Sequence, residues 1–226
     1  MTITQPQRRR RPVVTVAIAI AAVALVVCAV VVVDAIAGAR AEDAVEAQVE
    51  PEVGVDVRAR IGGPFGGLRA ITGRIPVLEL TAAAVPVPDQ DLVITDLLVE
   101  VRDLVVEGDA PVAGEGTFRA ALDVTQVRAA APPELADLID LSDDALVVDL
   151  GLAAVPLDVV VVPLAGGDAS LRLEPPGDIA LLDEVVGGVT EVPLEVPDGV
   201  VVAAAAVVGA RLVLTGTLDP VVVAAG

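Results

Sequence analysis

The sequence predicts an α+β fold that is mainly β: a long-stranded, curved antiparallel sheet with a few short helices, preceded by one N-terminal transmembrane or signal helix. Three observations carry that expectation. Val13 to Val33 is a run of 21 residues without a charged side chain. Downstream, apolar and polar residues alternate with a period of two over several long stretches, the signature of half-buried strands. Helical signals in the same region are few and short.

As a helix, the apolar run spans ~31 Å at ~1.5 Å per residue, close to the ~30 Å hydrocarbon core of a bilayer. Arg8, Arg9, Arg10 and Arg11 precede it, which keeps the N-terminus inside and exports everything after Asp34. A cleaved signal peptide is the competing reading, with Ala35-Ile36-Ala37 or Ala37-Gly38-Ala39 as the small-residue cleavage site. The run exceeds the usual ~7–15 residue signal core, which favours retention. Cys28 follows Leu25-Val26-Val27, but lipoprotein processing wants a small residue just before the cysteine, so a cysteine buried in a membrane helix is the better account. The expected organisation is a short basic tail with the transmembrane or signal segment over 1–37 and an extracytoplasmic domain over 38–226. The expected location is the cell membrane, single-pass with the C-terminal domain outside the cytoplasm, or the envelope if the segment is cleaved.

Composition narrows the chemistry. The formal net charge is −19 and the pI near 4.1. Every one of the 14 basic residues is arginine, and beyond Asp34 only 10 of them face 32 carboxylates, a formal −22. Such a surface argues against a general nucleic-acid or anionic-membrane binder. The chain contains no His, Lys, Trp or Tyr, and its one Cys lies in the apolar run. This removes imidazole bases, Lys Schiff-base chemistry and a nucleophilic Cys from the domain, and leaves no ligand set for zinc. Ser142 and Ser170 are the only serines, with neither a nucleophile elbow nor a His to activate them. We therefore expect no catalysis and no cofactor.

Taken along the domain, Ala39 to Val49 is rich in Ala and Glu and predicts a short helix ending before Pro51. Leu97, Val99 and Val101 alternate with Leu98, Glu100 and Arg102, and the alternation slips at Asp103, which predicts a bulge. Over Val112 to Val124, Gly114, Gly116, Phe118, Ala120 and Leu122 share a face with the two terminal valines. Pro132-Pro133-Glu134 followed by Leu135, Leu138, Ile139 and Leu141 predicts a short amphipathic helix. Further strands are expected around Leu146 to Leu152, Leu157 to Leu164, Leu171 to Leu173 and Leu212 to Leu214, with a second helix over Asp178 to Val186. So much alternating strand with so little helix implies either that the sheet folds over itself or that its apolar face is reserved for an apolar ligand.

The most informative local feature is a basic island. No carboxylate occurs between Asp56 and Glu79, yet Arg58, Arg60, Arg69 and Arg74 all do. Guanidinium groups bind phosphate bidentately, and the glycine-rich turn among them lets backbone N–H groups approach closely. The plainer reading is solvated arginines beside a structural turn. Phe65, in that turn, is expected to be a packed anchor. Asp137, Asp140, Asp143 and Asp144 lack a calcium-loop pattern and predict a solvated helix face.

The segment Ile61-Gly62-Gly63-Pro64-Phe65-Gly66-Gly67-Leu68 with Gly73-Arg74, the strand Ile94-Thr95-Asp96-Leu97-Leu98-Val99-Glu100-Val101, and the C-terminal Val192-Pro193-Leu194 and Pro197 to Val202 carry a resemblance. The chain resembles the actinobacterial lipomannan elongation factor (LmeA) family of phospholipid-binding envelope proteins. Gly66 and Gly63 stand where that family favours a bulky residue and an aromatic. The resemblance implies a tubular lipid-binding type of fold, a curved sheet wrapped about a helix. It also implies a non-enzymatic role, binding or shuttling phospholipid (phosphatidylinositol- or phosphatidylglycerol-like) in an apolar groove in support of lipoglycan or envelope maturation. On that reading Arg58, Arg60, Arg69 or Arg74 holds the head group, and Pro64, Phe65 and Leu68 form the groove wall or turn anchor. The alternatives are a membrane-anchored scaffold or adhesion module with a closed core, and a carboxylate-dependent hydrolase of envelope glycans.

Overall fold

The computed structural model describes residues 34–51, 54–87, 92–107, 110–131, 133–142, 144–149, 151, 153–163, 169–174, 191–194 and 198–221. Helix α1 runs over 34–51. After it come β1 (Val57–Gly62), helix α2 (Gly66–Ala70), β2 (Arg74–Pro86), β3 (Val93–Glu107) and β4 (Ala110–Leu122). Helices α3 (Val124–Ala130) and α4 (Pro133–Ala136) then lead to β5 (Ile139–Leu141), β6 (Leu146–Asp149), β7 (Ala154–Pro163), β8 (Ala169–Glu174) and β9 (Glu191–Leu194). The last strands are β10 (Val200–Val207) and β11 (Leu212–Leu218).

The strands are divided between two sheets, where the alternation alone suggested one. The larger has the order β1-β2-β3-β4-β11-β10 and the smaller β5-β6-β7-β8-β9. Every pairing in both is antiparallel. The two layers meet over one cluster: Leu122, Leu212 and Val207 of the large sheet pack with Ile139, Leu146, Val148, Leu157, Leu171 and Leu173 of the small one. Part of the large sheet's apolar face is thus covered by strands, one of the two solutions open to an alternating sheet.

The other part is covered by α1. Val45 packs on Ile75, Leu78, Val101 and Leu104, and Val49 on Val57, Ala82 and Val85. One turn away on the same helix, carboxylates reach the exposed edge of the sheet. The backbone N–H groups of Ile61, Ala59 and Val57 on edge strand β1 donate to Oε1 of Glu42 (2.7 Å), Glu46 (2.8 Å) and Glu50 (3.4 Å). The match is geometric. Four helical residues rise ~6.0 Å and two strand residues ~6.6 Å, so glutamates spaced by four stay in step with alternate amides. The helix stands where a seventh strand would, and it satisfies donors that would otherwise recruit another chain.

Several expectations meet the structure directly. The helix expected from Ala39 to Val49 already covers 34–38 and runs unbroken across the 37/38 boundary. The slip at Asp103 is a bulge: φ is 47° there, and the β3–β4 register shifts between Arg102 and Val105. Strand β4 keeps the expected inner face through Leu122, but Val124 opens α3 instead of ending the strand. Asp123 caps that helix by accepting from the Gln126 N–H at 3.0 Å, and Gln126 Oε1 accepts from the Val93 N–H at 2.7 Å, which pins the start of β3. The helix expected from Pro132 through Leu141 is reduced to α4. Ile139 and Leu141 alternate with exposed Asp140 in β5, and their pairing with Val148 and Leu146 buries both. The helix expected over 178–186 and the apolar run over 13–33 lie outside the described residues. Among the described residues, no helix is long and apolar enough to cross a membrane.

Candidate functional site

The register of the large sheet lines up one row of residues across all six strands. Ala59 pairs with Leu80, Leu80 with Val99, Val99 with Phe118, Phe118 with Gly216 and Gly216 with Val202. Every member of this row is half-buried. The neighbouring rows are buried at Leu78, Val101 and Gly116 on one flank and at Val57, Ala82 and Ala120 on the other, and half-buried on the remaining strands. Five steps of ~4.8 Å between strands give the row a length of ~24 Å, longer than the ~15 Å apolar depth of one leaflet. Gly216 belongs to the row because it has no side chain. A Cβ there would come within 2.7 Å of the Phe118 ring and collide with the Val201 carbonyl.

The arginine island does not form one site. Arg58 and Arg60 alternate with the inner-facing Val57, Ala59 and Ile61, so both lie exposed on the opposite face of the sheet. There Arg60 is paired across strands with Glu79, and Glu79 with Glu100. Glu100 accepts from Arg102 Nε at 2.7 Å, which raises that guanidinium's pKa further. In space, then, the stretch without acids is bordered by Glu42, Glu46, Glu79 and Glu100. Arg69 and Arg74 do come together. They line a small depression of about 160 Å³ at the corner of α2 and β2, with Asp103 in the same wall. Arg74 lies six residues along β2 from Leu80, ~20 Å at ~3.4 Å per residue, so it stands well off the apolar row.

The glycine-rich turn is built differently from the expectation. Phe65 takes a left-handed conformation, φ 55°, at the N-terminus of α2 and is 55 % exposed, so it is no packed anchor. Pro64 is exposed and Leu68 half-buried. The Leu68 N–H donates to Asp34 Oδ1 at 2.8 Å, tying α2 to the first turn of α1. The two helices touch backbone to backbone, and a Cβ at Gly67 would collide with the Asp34 carbonyl and the Gly38 nitrogen. Beside this contact is an open depression of about 380 Å³ lined by Ile36, Ala37, Arg40, Ala41, Ala70 and Ile71. Ile36 is 51 % and Ile71 71 % exposed.

Of the acidic cluster, Asp137, Asp140 and Asp144 are exposed, and Asp140 lies 3.9 Å from Arg128. Asp143 lies outside the described residues. Among the described residues, no three carboxylates converge on a point that could hold a metal ion. Ser170 is buried on β8, with its hydroxyl unpartnered among the described residues. With no imidazole in the chain, nothing of that kind can deprotonate it.

Sequence reasoning passed over the apolar row because alternation within each strand does not reveal register between strands. It also passed over the Glu42, Glu46, Glu50 ladder, whose spacing by four was legible. No protein-family model, curated protein or solved structure matches this chain.

Proposed function

We propose that this chain is a non-enzymatic envelope protein, held in the membrane by residues 13–33, that binds phospholipid by laying an acyl chain along the row Ala59, Leu80, Val99, Phe118, Gly216 and Val202. One observation carries the reading: a line of apolar or side-chain-free positions in register stays half-buried across six strands, while the residues beside it on β2, β3 and β4 are mostly buried. The large sheet, lapped on one side by α1, is compatible with a tubular lipid-binding type of fold. The quoted resemblance supports phosphatidylinositol- or phosphatidylglycerol-like ligands. Arg58 and Arg60 flank Ala59 but lie on the opposite face, and Arg74 stands well off the row, so the acyl chain supplies the affinity; each buried methylene contributes ~0.8 kcal/mol. The anchored alternative to cleavage gains support from Asp34, because removal of residues 1–37 would delete the acceptor that holds α2.

The scaffold reading is favoured by a different observation: neither depression described above lies on the row. Native mass spectrometry of the full chain released from membranes separates the two. The expected spectrum contains a one-to-one phospholipid adduct. Val99→Asn should reduce it at least about tenfold, since ~1.4 kcal/mol of lost apolar contact suffices for that factor. Val99→Ile should retain it. A chain free of lipid, or adducts equal in all three proteins, would give the case to the scaffold.

A further inference from the structure

Three of the large exposed apolar side chains fall together at one corner. Among the described residues the large ones are Ile36, Phe65, Ile71, Val112, Val160, Val201 and Val208. The three that are not valine all belong to the α1–α2 corner. Phe65 and Ile71 bracket the five-residue α2, and Ile36 faces the same depression as Ile71. Two contacts fix this corner as a unit, the Leu68 to Asp34 hydrogen bond and the Gly38–Gly67 approach. Arg40, Arg69 and Arg74 surround it, all exposed. In a domain of formal charge −22, three of its ten arginines stand at one corner. Of the acids near it, Asp34 is engaged by the Leu68 amide, Asp103 shares a depression with Arg69 and Arg74, and Asp43 and Glu107 stand at its margins, three residues from Arg40 on α1 and at the end of β3.

The position of this corner in the chain says what covers it. The charge-free run ends at Val33, and Asp34 already belongs to α1. Ile36 is three residues beyond Val33 and Arg40 seven, ~4.5 Å and ~10.5 Å along a helical rise. Apolar side chains within one turn of a membrane span, ringed by arginines, match the boundary between acyl chains and head groups, where aliphatic and aromatic groups insert ~5–10 Å and guanidinium groups meet phosphates.

We infer that the α1–α2 corner is a membrane-docking surface: Ile36, Phe65 and Ile71 insert into the outer leaflet in which the chain is anchored, and Arg40, Arg69 and Arg74 contact its anionic head groups. This deepens the proposed function and rests on its reading of residues 13–33 as a membrane span. The domain's −22 repels an anionic leaflet, but screening over ~8 Å confines that repulsion, and the three arginines lie within that distance of the surface they would touch. Docking holds the domain against the leaflet from which a lipid would be drawn.

The chain has no Trp, so single tryptophans report without background. The full chain is reconstituted in nanodiscs of phosphatidylcholine and phosphatidylglycerol carrying brominated acyl chains. Ile36→Trp, Phe65→Trp and Ile71→Trp should show blue-shifted emission quenched by the brominated lipid. Val160→Trp and Val208→Trp, also exposed, should show neither. Replacing Arg40, Arg69 and Arg74 with Gln should weaken quenching of the Ile71→Trp probe in anionic nanodiscs towards the value in purely zwitterionic ones. A sixth probe, Val23→Trp, reports the span itself. If it is quenched while the three corner probes are not, the docking surface is overturned, the anchor stands, and the corner belongs to a protein partner. If Val23→Trp is not quenched either, the span reading and the docking surface fall together. Lipid capture on the sheet is read separately by the native mass spectrum.

Discussion

The two halves of the large sheet are covered by different means. At the β4, β11 and β10 side, a second sheet lies over the apolar face, and the joint cluster includes the most completely buried side chains among the described residues: Leu135, Ile139, Leu146 and Val148. At the β1, β2 and β3 side, a single helix lies over the face and the edge. The buried residues there fall into two smaller groups, Ile75, Leu78, Val101 and Leu104, and Val57, Ala82 and Val85. The first half is held mainly by apolar area, with the Arg128 guanidinium donating to the Ile139 carbonyl at 2.7 Å. The second combines a smaller apolar contact with three carboxylate-to-amide bonds along an edge. Apolar burial resists local opening because it is lost only when whole layers separate; partly exposed hydrogen bonds can be exchanged for water one at a time. The helix-covered half is therefore the part able to open, and it is also the half that joins the charge-free run ending at Val33.

The largest expected effect tests the sheet-covered half. Leu146→Ala removes a side chain buried between the layers and should cost ~2–5 kcal/mol, with the value near the upper end because two rigid sheets cannot collapse onto the cavity. Leu78→Ala, buried beneath α1, should sit near the lower end, since a helix can settle where a sheet cannot. Urea denaturation of both variants, followed by circular dichroism, gives the difference directly. Equal losses would erase the distinction between the halves.

Next in size is the joint between α1 and α2. Ala improves intrinsic helix propensity by ~1 kcal/mol over Gly, so at an ordinary site Gly67→Ala would stabilise. Here a Cβ would meet the Asp34 carbonyl and the Gly38 backbone, and the helices must separate. A net loss of ~1–3 kcal/mol is expected, together with loss of the Leu68 to Asp34 bond. Amide exchange of Leu68 measures the second effect. Neutral stability with an unchanged Leu68 amide would show that the close approach carries nothing.

How much of this was legible in the sequence depended on whether the signal was local. Alternation placed β3, β4, β6, β8 and β11, a valine-rich run placed β7, and the phase slip at Asp103 announced the bulge, because each is a property of one strand. The pattern of Leu135, Leu138, Ile139 and Leu141 misled because four apolar positions fit a helix as well as a helical turn followed by a strand; only pairing with Leu146 and Val148 decides it. Asp123 and Gln126, spaced as a helix N-cap and its third residue, offered a start signal for α3 that the preceding long alternation masked. The arginine island divides in space for a related reason. Residues 58 and 60 share a strand with alternating faces, while 69 and 74 lie beyond a turn, so closeness in sequence did not become closeness in space. The apolar row is wholly a product of register, which no single segment encodes.

The smallest effect concerns the glutamate ladder, and it discriminates best between the two halves. Glu46→Ala removes the acceptor for the Ala59 amide. A partly exposed charge-assisted bond contributes ~1 kcal/mol net, and water can reach this edge, so the global stability should fall by about that much or less. The local effect should be larger in kind. The amides of Ala59 and its neighbours on β1 should exchange faster, while those of β6 and β7 in the other layer should not change. Glu46→Gln keeps a carbonyl acceptor at the same reach and should restore most of the protection. Replacing Glu42, Glu46 and Glu50 together with Ala frees the N–H groups of Val57, Ala59 and Ile61 along edge strand β1, and concentration-dependent association of the full chain should appear in sedimentation velocity. If the triple variant stays monodisperse and its β1 amides remain protected, the apolar contacts of Val45 and Val49 alone hold the helix, and the two halves of the sheet are covered by the same physics after all.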